Sequence, residues 1–544
     1  MSGELFLSCI TSLLISMGLI PPLRLLAERF RFVDLPGERK VHHHPIPSVG
    51  GIAFAIGSFA SILWWGPQNQ MKISILLGGL IILGFGVWDD RVDLSPPVKF
   101  LGQLLAALVI VFVGGIRFES LPVLAHDALP FWIGAPLTLF FLMAVSNAVN
   151  LTDGLDGLAG GLSFLTLCGI GYLAYLSSDI TVLSLTVPLL GGVLGFLRYN
   201  TYPARIFMGD GGSQLLGFMM GVLAILLTDS TRGPFSPALA LFLLGLPFLD
   251  TLGVAGQRLA EGRSPFVGDR THVHHKLMRV GLSHYEAVMA IYAMQVAMVG
   301  MAYLLRWQSD TLIVSLYLVI AGSVLMGFIA AGRGLLPTPA TQDGRFLSNV
   351  RLARFLNSSW LTEMPIRFLS VAVPLFLIGL VFFPSDVPTD VGYLSIIVFG
   401  VVLLGLSFSS RVVLYVVRGG LYLGTTFLVY VCENSGVSAM PAVVMVDNIF
   451  FVVVAVMVLL ILRFDEQNRF QITPLDYLMV VLAMGFAFLP EMRDEISRLG
   501  VFAAKLMVLF FSFELLLHAF SNRVRQLGLV SLWILFGLGI RVLL

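Results

Sequence analysis

Acidic and amide side chains are concentrated in residues 147–158, which read NAVNLTDGLDGL. Asn147, Asn150, Asp153 and Asp156 recur every three residues, so in a helix they would lie near one face. The glycines in and after the stretch indicate instead a break or close helix contacts. Because the stretch separates two apolar runs, where an unpaired charge is expensive, it predicts a site for a metal ion or polar ligand. A structural cluster of hydrogen-bonded helix ends is the alternative.

Two more carboxylate motifs stand at the end or the start of an apolar run. Asp89 and Asp90 close one run, with Lys99 on the helix predicted after them, and Asp210 stands between glycines at the start of another. Mg²⁺ is often held in this way, because it takes few carboxylates and keeps water and phosphate oxygens as its other ligands. A solvated loop end for the pair and an N-cap for Asp210 are the structural alternatives.

Cations and imidazoles cluster in two polar stretches. Residues 38–51 read ERKVHHHPIPSVGG, and residues 268–276 read GDRTHVHHK. Such groups suit an anionic ligand through charge-assisted hydrogen bonds, whereas zinc is disfavoured because no HExxH motif or cysteine partner accompanies the histidines. A basic membrane anchor is the alternative for the first stretch. The predicted substrate-binding residues in the two stretches are Arg39, Lys40, His42, His272, His274 and His275.

The composition places these motifs in a membrane protein. Of the 544 residues, 57% are hydrophobic and 12% are charged, and the mean hydropathy is +0.92. Apolar runs of about twenty residues, long enough to cross a bilayer as helices, recur along the chain. We therefore predict an all-α, polytopic transmembrane helix bundle of about eighteen helices, one of them over residues 238–256.

The distribution of Lys and Arg orients the predicted helices. Up to Arg367, the loops on the side of Asp89 carry 19 basic residues and the loops on the other side carry 4. Because basic loops stay in the cytoplasm, we expect all the motif loops to face the cytoplasm and the N-terminus to lie outside. The net charge of +1 gives no indication of a nucleic-acid partner.

A polar segment divides the predicted helices into two groups. Residues 1–331 are expected to form a membrane-embedded core of about eleven helices that carries every motif. Residues 332–366 are expected to form a cytoplasmic linker, and residues 367–544 an extension of about seven helices. The loops of the extension show no dense group of polar residues, so the sequence predicts no chemistry for it.

Five motifs occur in order across alternate cytoplasmic loops: RKVHxxPIPxxGG, DDxxDLxPxxK, NxxNxxDGxDGL, GDxGS and HxHH. Together they resemble the polyprenyl-phosphate N-acetylhexosamine-1-phosphate transferases over roughly residues 1–330. The resemblance implies that a UDP-N-acetylhexosamine and a polyprenyl phosphate, with Mg²⁺ or Mn²⁺, give a polyprenyl-diphospho-sugar and UMP. A membrane site with acids for the metal and cations for the phosphates is what such a step needs.

The resemblance also implies roles for individual residues. Asp210 matches the main metal ligand, assisted by Asp90. Asp89 and Asp90 match an acidic pair that supports the metal or deprotonates the lipid phosphate, and which of the two does which stays open. The candidate catalytic residues are Asp89, Asp90, Asp153 and Asp156, the latter two and Asn150 matching nucleotide contacts or metal support. The matches to phosphate- or sugar-recognising positions are Lys99, His272, His274 and His275, and Asn147 is a further substrate-binding candidate.

The first loop distinguishes branches of the resembled family. The peptidoglycan branch, which uses UDP-MurNAc-pentapeptide, has a TPTMGG pattern where this chain has PIPSVGG. The form found here is similar to the branch that starts O-antigen, enterobacterial common antigen or wall teichoic acid. That likeness implies UDP-GlcNAc, undecaprenyl phosphate and the bacterial inner membrane, while GalNAc, a deoxy sugar and a homodimer stay open.

A secondary transporter is the alternative from another class of protein, because intramembrane acids also bind cations in transporters. Those acids lie near the bilayer midplane, often within inverted repeats. Here the acids lie at predicted helix ends and no internal repeat is visible, which favours the enzyme. Members of the resembled family usually end soon after the eleventh helix, so the residues after 332 depart from its pattern.

Overall fold

A computed structural model describes residues 2–30, 32–34, 45–122, 129–229, 233–260, 262, 272–332, 360–384, 387–407, 410–434, 441–464, 495–519 and 524–543. Within these residues the regular structure is helical except for two strands of two residues each. The predicted all-α bundle is confirmed. Arg39, Lys40 and His42 lie outside the described residues, so the structure does not test their predicted role.

Eleven of the described helices are long and apolar enough to cross a membrane, and three shorter apolar helices accompany them. The chain divides into two compact units, Met1–Phe346 and Leu347–Leu544. The division falls within the segment 333–359, which lies outside the described residues. The first unit contains every described residue of the five sequence motifs.

The first unit is built almost entirely of helices. They are α1 (Ser2–Phe30), α2 (Gly50–Trp65), α3 (Gln70–Val92), α4 (Pro96–Leu108), α5 (Phe131–Thr152), α6 (Leu158–Leu176), α7 (Ile180–Asn200), α8 (Gly209–Leu227), α9 (Leu239–Leu243), α10 (Gly245–Ala260), α11 (Val273–Arg279), α12 (His284–Leu304) and α13 (Asp310–Gly332). A π-helical turn over Val109–Val113 continues α4. Strand β1 (Val33–Asp34) pairs antiparallel with β2 (Ile46–Pro47).

Helix α8 lies at the centre of this unit, since 94% of the residues in an apolar stretch of 18 residues within it are buried. It packs against α2, α3, α5 and α6. Glycines allow two of these contacts: a Cβ on Gly51 would lie 2.5 Å from Cα of Gly212, and a Cβ on Gly86 would lie 2.3 Å from Cα of Gly211. Because a side chain would push the backbones apart, these glycines bring α2 and α3 against the first turn of α8.

The helix predicted over residues 238–256 is interrupted at Leu244, so that α9 and α10 are separate. The buried amide of Gln295 on α12 compensates for the break. Its nitrogen donates to the carbonyl of Leu243 at 3.0 Å, and its oxygen accepts from the backbone N–H of Leu246 at 3.2 Å. A side-chain amide thus satisfies backbone groups that an interrupted membrane helix leaves free.

The second unit is a separate helical bundle. Its described helices are α14 (Trp360–Leu380), α15 (Thr389–Gly405), α16 (Ser410–Asn434), α17 (Pro441–Phe464), α18 (Glu495–Ala519) and α19 (Val524–Leu543). Because α14 begins at Trp360, the last residues of the predicted linker are helical. Partly buried ion pairs link three of these helices: Lys505 of α18 contacts Glu433 of α16 and Asp447 of α17.

Candidate active site

A cavity of about 390 Å³ lies where several helix ends of the first unit meet. The last turn of α3, the ends of α5 and α7, the start of α8, α11 and the start of α12 all contribute to its wall. Its polar lining is Asp34, Ser48, Asp90, Asn150, Asp153, Asp156, Asn200, Asp210, His274, His275 and His284. Each of the five sequence motifs supplies at least one of these residues or an immediate neighbour of them.

Asp90 joins the end of α3 to the start of α8. Its Oδ1 accepts the backbone N–H of Asp210 at 2.7 Å, and its Oδ2 accepts that of Gly211 at 3.2 Å. Gly209 makes this possible, since it has a φ of +75° and a Cβ there would lie 2.5 Å from Asp90 Oδ2. The first N–H groups of a helix lack intrahelical partners, and a carboxylate stabilises them. Asp90 therefore caps α8.

Asp210 is oriented by its neighbours and still open to the cavity. Its Oδ1 accepts a hydrogen bond from Asn150 Nδ2 at 3.1 Å, and its Oδ2 lies 3.5 Å from Lys99 Nζ. The same amide group of Asn150 donates to Ser213 Oγ at 2.9 Å, which holds the amide in place. The Asp210 side chain remains 39% exposed, so its carboxylate is available to a ligand.

Lys99 is an ammonium group shared by three carboxylates. Its Nζ lies 2.7 Å from Asp89 Oδ2, 3.5 Å from Asp210 Oδ2 and 3.8 Å from Asp93 Oδ1. Asp89 is buried, and its second oxygen accepts the backbone N–H of Leu94 at 2.8 Å. Asp89 thus anchors Lys99 and the turn after α3, while Lys99 supplies positive charge next to Asp210.

The turn between α5 and α6 carries Asp153 and Asp156. The break that the glycines predicted is confirmed, because α5 ends at Thr152 and Gly157 adopts a φ of +78°. Asp156 Oδ2 accepts the backbone N–H of Ala204 at 2.8 Å, which ties the turn to the segment before α8. The two carboxylates therefore reach the cavity from a turn, and not from one face of a helix.

Asp153 titrates far from the ordinary range of a carboxyl group. Its burial, followed by the negative charges of Asp210 and then Asp156, raises its pKa to about 7. Like charges held near one another disfavour ionisation. Burial and the two neighbouring carboxylates thus both favour the uncharged form of Asp153, and a cation in the cavity would favour its carboxylate.

His274 contributes a neutral ring to the cavity wall. The ring packs on Gly154, since a Cβ on that glycine would lie 2.4 Å from His274 Nε2. Its centroid is 4.2 Å from that of His275. Burial, reinforced by the proximity of His275, lowers the pKa of His274 to about 3. His274 can thus offer a hydrogen-bonding group, and not the positive charge that the sequence suggested for this loop.

The structure brings most of the described candidates to the cavity. Asp90, Asn150, Asp153, Asp156, Asp210, His274 and His275 line it. Lys99 and Asp89 reach it through their ion pairs with each other and with Asp210. Asn147 and His272, although described, are not in the lining: Asn147 lies one turn before Asn150 on α5, and His272 is turned towards Asp250.

Two residues near the cavity were missed by the sequence analysis. Asp250 of α10 accepts from His272, and its signal was visible, because a carboxylate inside an apolar run is expensive and needs a partner. His284 lines the cavity with its ring 4.6 Å from that of Tyr202. No feature of the local sequence distinguishes His284, since only the fold brings it to the other residues.

The oxygen donors at the cavity suit a hard divalent cation. Asp153 and Asp210 provide carboxylates, and the amide group of Asn150 also lines the cavity. Among the described residues, no group of three or more His, Cys, Asp or Glu side chains is arranged to enclose a metal. Mg²⁺ is commonly bound by one or two carboxylates together with substrate phosphates and water. The donor set therefore fits Mg²⁺ that is held jointly by the protein and a phosphate ligand.

Residues 72–228 match the family model described as glycosyl transferase family 4. This range extends from the start of α3 to the end of α8. It therefore contains the acid pair of α3, Lys99, the turn between α5 and α6, and Asp210.

Individual relatives match over a longer part of the chain. A Bacillus subtilis (strain 168) protein named "Probable undecaprenyl-phosphate N-acetylglucosaminyl 1-phosphate transferase" is 37% identical over 328 residues, which cover 60% of this chain and 91% of the relative. The "Decaprenyl-phosphate N-acetylglucosaminephosphotransferase" of Mycolicibacterium smegmatis is 35% identical, over a match that covers 53% of this chain and 79% of the relative. An Escherichia coli (strain K12) "Undecaprenyl-phosphate alpha-N-acetylglucosaminyl 1-phosphate transferase" is 30% identical, over a match that covers 49% of this chain and 75% of the relative.

Proposed function

This chain belongs to the polyprenyl-phosphate N-acetylhexosamine-1-phosphate transferases, and from that premise we propose that it transfers N-acetylglucosamine 1-phosphate from UDP-N-acetylglucosamine to a polyprenyl phosphate. An oxygen of the lipid phosphate forms a bond to the phosphorus that bears the sugar. The bond from that phosphorus to the bridging oxygen breaks, its electron pair stays on that oxygen, and UMP leaves. The names of the three relatives support N-acetylglucosamine over the peptidoglycan sugar.

The observation that carries this proposal is the carboxylate of Asp210, held by Asn150 and Lys99 at the start of a membrane helix and open to the cavity. Both substrates are phosphates, and one of them keeps its lipid tail in the bilayer. Transfer between phosphates needs positioning and charge stabilisation more than covalent help from the protein. A cluster of acids and one lysine at the end of a transmembrane bundle provides both.

We assign Mg²⁺, with Mn²⁺ as the alternative, to the oxygen donors of Asp210 and Asp153. When bound, such an ion withdraws charge from the phosphate oxygens. Lys99 would pair with a phosphate oxygen on the side of Asp210, and Asp90 keeps Asp210 in place by capping α8. A general base is not required, because a lipid phosphate is already anionic near neutral pH.

The proposed enzyme is an inner-membrane protein of bacteria whose cavity faces the cytoplasm and whose N-terminus lies outside. Support comes from the 19 Lys and Arg residues in the loops on the side of Asp89, against 4 on the other side. UDP-sugars are made in the cytoplasm, so the donor would reach the cavity directly.

Purified full-length protein should release UMP from UDP-N-acetylglucosamine only when polyprenyl phosphate and Mg²⁺ are both present. Chromatographic detection of UMP, with each component omitted in turn, measures this directly. UDP-MurNAc-pentapeptide as the preferred donor would assign the chain to the peptidoglycan reaction. Absence of UMP with every UDP-N-acetylhexosamine, from protein shown to be folded, would remove the enzyme and leave a cation-coupled transporter.

A chain that ends at residue 335 should keep UMP release within about threefold of the full-length rate. The reason is that the described contacts of Asp90, Lys99, Asn150 and Asp210 all lie within the first unit. The second unit would then serve to dock a partner enzyme or a second subunit. Thermal unfolding curves first establish whether both chains are folded, and the turnover of the folded samples is then compared. Failure of the shortened chain to fold would make the second unit structural.

A further inference from the structure

Asp250 is a carboxylate inside the apolar helix α10, where it is 4% exposed. Both of its oxygens contact the start of α11. Oδ2 lies 2.9 Å from His272 Nδ1, and Oδ1 accepts the backbone N–H of Val273 at 2.9 Å. An ionised carboxylate only accepts hydrogen bonds, so Nδ1 of His272 is the donor. These two bonds offset the free-energy cost of burying an acid at this position.

The two bonds matter because α11 is a short helix. It runs from Val273 to Arg279, and its N-cap residue His272 makes no side-chain capping bond. A helix of this length is not stable by itself. Asp250 replaces the missing cap from a neighbouring helix, so the position of the first turn of α11 depends on Asp250.

The first turn of α11 in turn places His274. This residue follows Val273 directly, is 3% exposed and lines the cavity. Its ring lies so close to Gly154 that a Cβ on the glycine would be 2.4 Å from Nε2. Gly154 follows Asp153 in the turn between α5 and α6, so a shift of α11 would open the wall of the cavity at the Asp153 turn.

We propose that Asp250 is a positioning residue for the transfer reaction: through His272 and Val273 it fixes the start of α11, and it thereby seats His274 against Gly154. Asp250 itself is not among the described residues that line the cavity. A buried acid that fixes the tautomer and orientation of a histidine is a known means of supporting a site from outside it. This inference rests on the proposed function, because His274 is taken to face the UDP-sugar.

Asp250→Asn is the informative variant. The amide keeps an oxygen for the N–H of Val273 but presents an NH2 group to the Nδ1–H of His272, so that one of the two bonds is lost. We expect kcat/KM for UDP-N-acetylglucosamine to fall about 10- to 100-fold. The KM for polyprenyl phosphate should stay within about twofold, since His274 packs on the Asp153 turn and not beside Lys99. Equal loss towards both substrates would contradict a role through His274.

A double-variant comparison tests whether Asp250 acts through His274. Asp250→Asn, His274→Ala and the combined variant are assayed together. If the acid works by seating His274, the combined variant is no slower than the slower single variant, because the two residues belong to one unit. Losses that multiply would overturn the proposal.

Hydrogen exchange supplies a readout that does not depend on activity. Peptides covering residues 273–279 should exchange faster in Asp250→Asn than in the wild type. The matched control is Asp179→Asn, because Asp179 also caps a helix, accepting the N–H of Val182 at 3.0 Å. This control should leave both the kinetics and the exchange of α11 unchanged. Unchanged exchange in Asp250→Asn overturns the positioning role, whereas a wild type that releases no UMP removes only the proposed reaction.

Discussion

Replacing Asp210 with asparagine is expected to lower the turnover number for UMP release by at least about 100-fold. Asparagine keeps the size of the side chain and an oxygen for the Asn150 amide, which lies 3.1 Å away, so the fold should survive. The change removes the negative charge next to Lys99, 3.5 Å away, and a carboxylate donor of the proposed Mg²⁺ site. Steady-state UMP release at saturating substrates, with thermal unfolding of the same sample, measures the effect.

The control for Asp210→Asn is Asp310→Asn. Asp310 is also a carboxylate that accepts a side-chain hydrogen bond, from Ser236, but it is not part of the cavity. This control should turn over at the wild-type rate. A wild-type rate in Asp210→Asn would refute the metal assignment, and a loss of activity together with a lower unfolding temperature would give Asp210 a structural role instead.

The sequence predicted the composition of the site well, because chemistry in a membrane leaves a strong signal. Asp153, Asp156 and Asp210 stand out as charges at the ends of apolar runs, where each needs a partner. The helix ends that carry them do meet at one cavity. The spacing of three residues between Asn150, Asp153 and Asp156 was less informative, since α5 ends at Thr152 and a turn follows.

The individual contacts of the acidic residues could not be predicted from the sequence. Asp90 was predicted as a metal ligand or catalytic residue, and this stays a prediction; the structure adds that both of its oxygens accept backbone N–H groups of α8. Asp89 was grouped with it, although it pairs with Lys99. The role of Asp90 depends on a contact between residues 120 positions apart in the chain, Asp90 and Asp210. Local pattern carries no information on such contacts.

The local sequence pattern also did not indicate the contacts that stabilise α11, the helix that carries His274 and His275. Helix α11 was expected as part of a loop, because seven residues give too little periodicity for a helix prediction. Its start is stabilised by Asp250, which lies 23 residues earlier in the chain than Val273. The break between α9 and α10 likewise depends on Gln295, a residue of another helix. In each case a tertiary contact decides where the helix begins or ends.

Replacing Gly209 with alanine should lower turnover by about 100-fold, as expected when a catalytic group is displaced by about 1 Å. Two effects combine at this residue. Its φ of +75° is unfavourable for any residue with a Cβ, and the added Cβ would lie 2.5 Å from Asp90 Oδ2. Relief of this contact requires Asp90 to move away from the N–H groups of Asp210 and Gly211, so the carboxylate of Asp210 loses its position.

Gly115→Ala separates the two effects. Gly115 has a similar φ of +65°, but a Cβ there would meet no atom within 4 Å. This variant should therefore show only the backbone cost, about 1–2 kcal/mol of unfolding free energy, and keep its turnover. If Gly209→Ala loses stability as Gly115→Ala does but retains its activity, the contact with Asp90 does not position Asp210. If it loses activity at a similar unfolding temperature, the capping of α8 by Asp90 is required for the reaction.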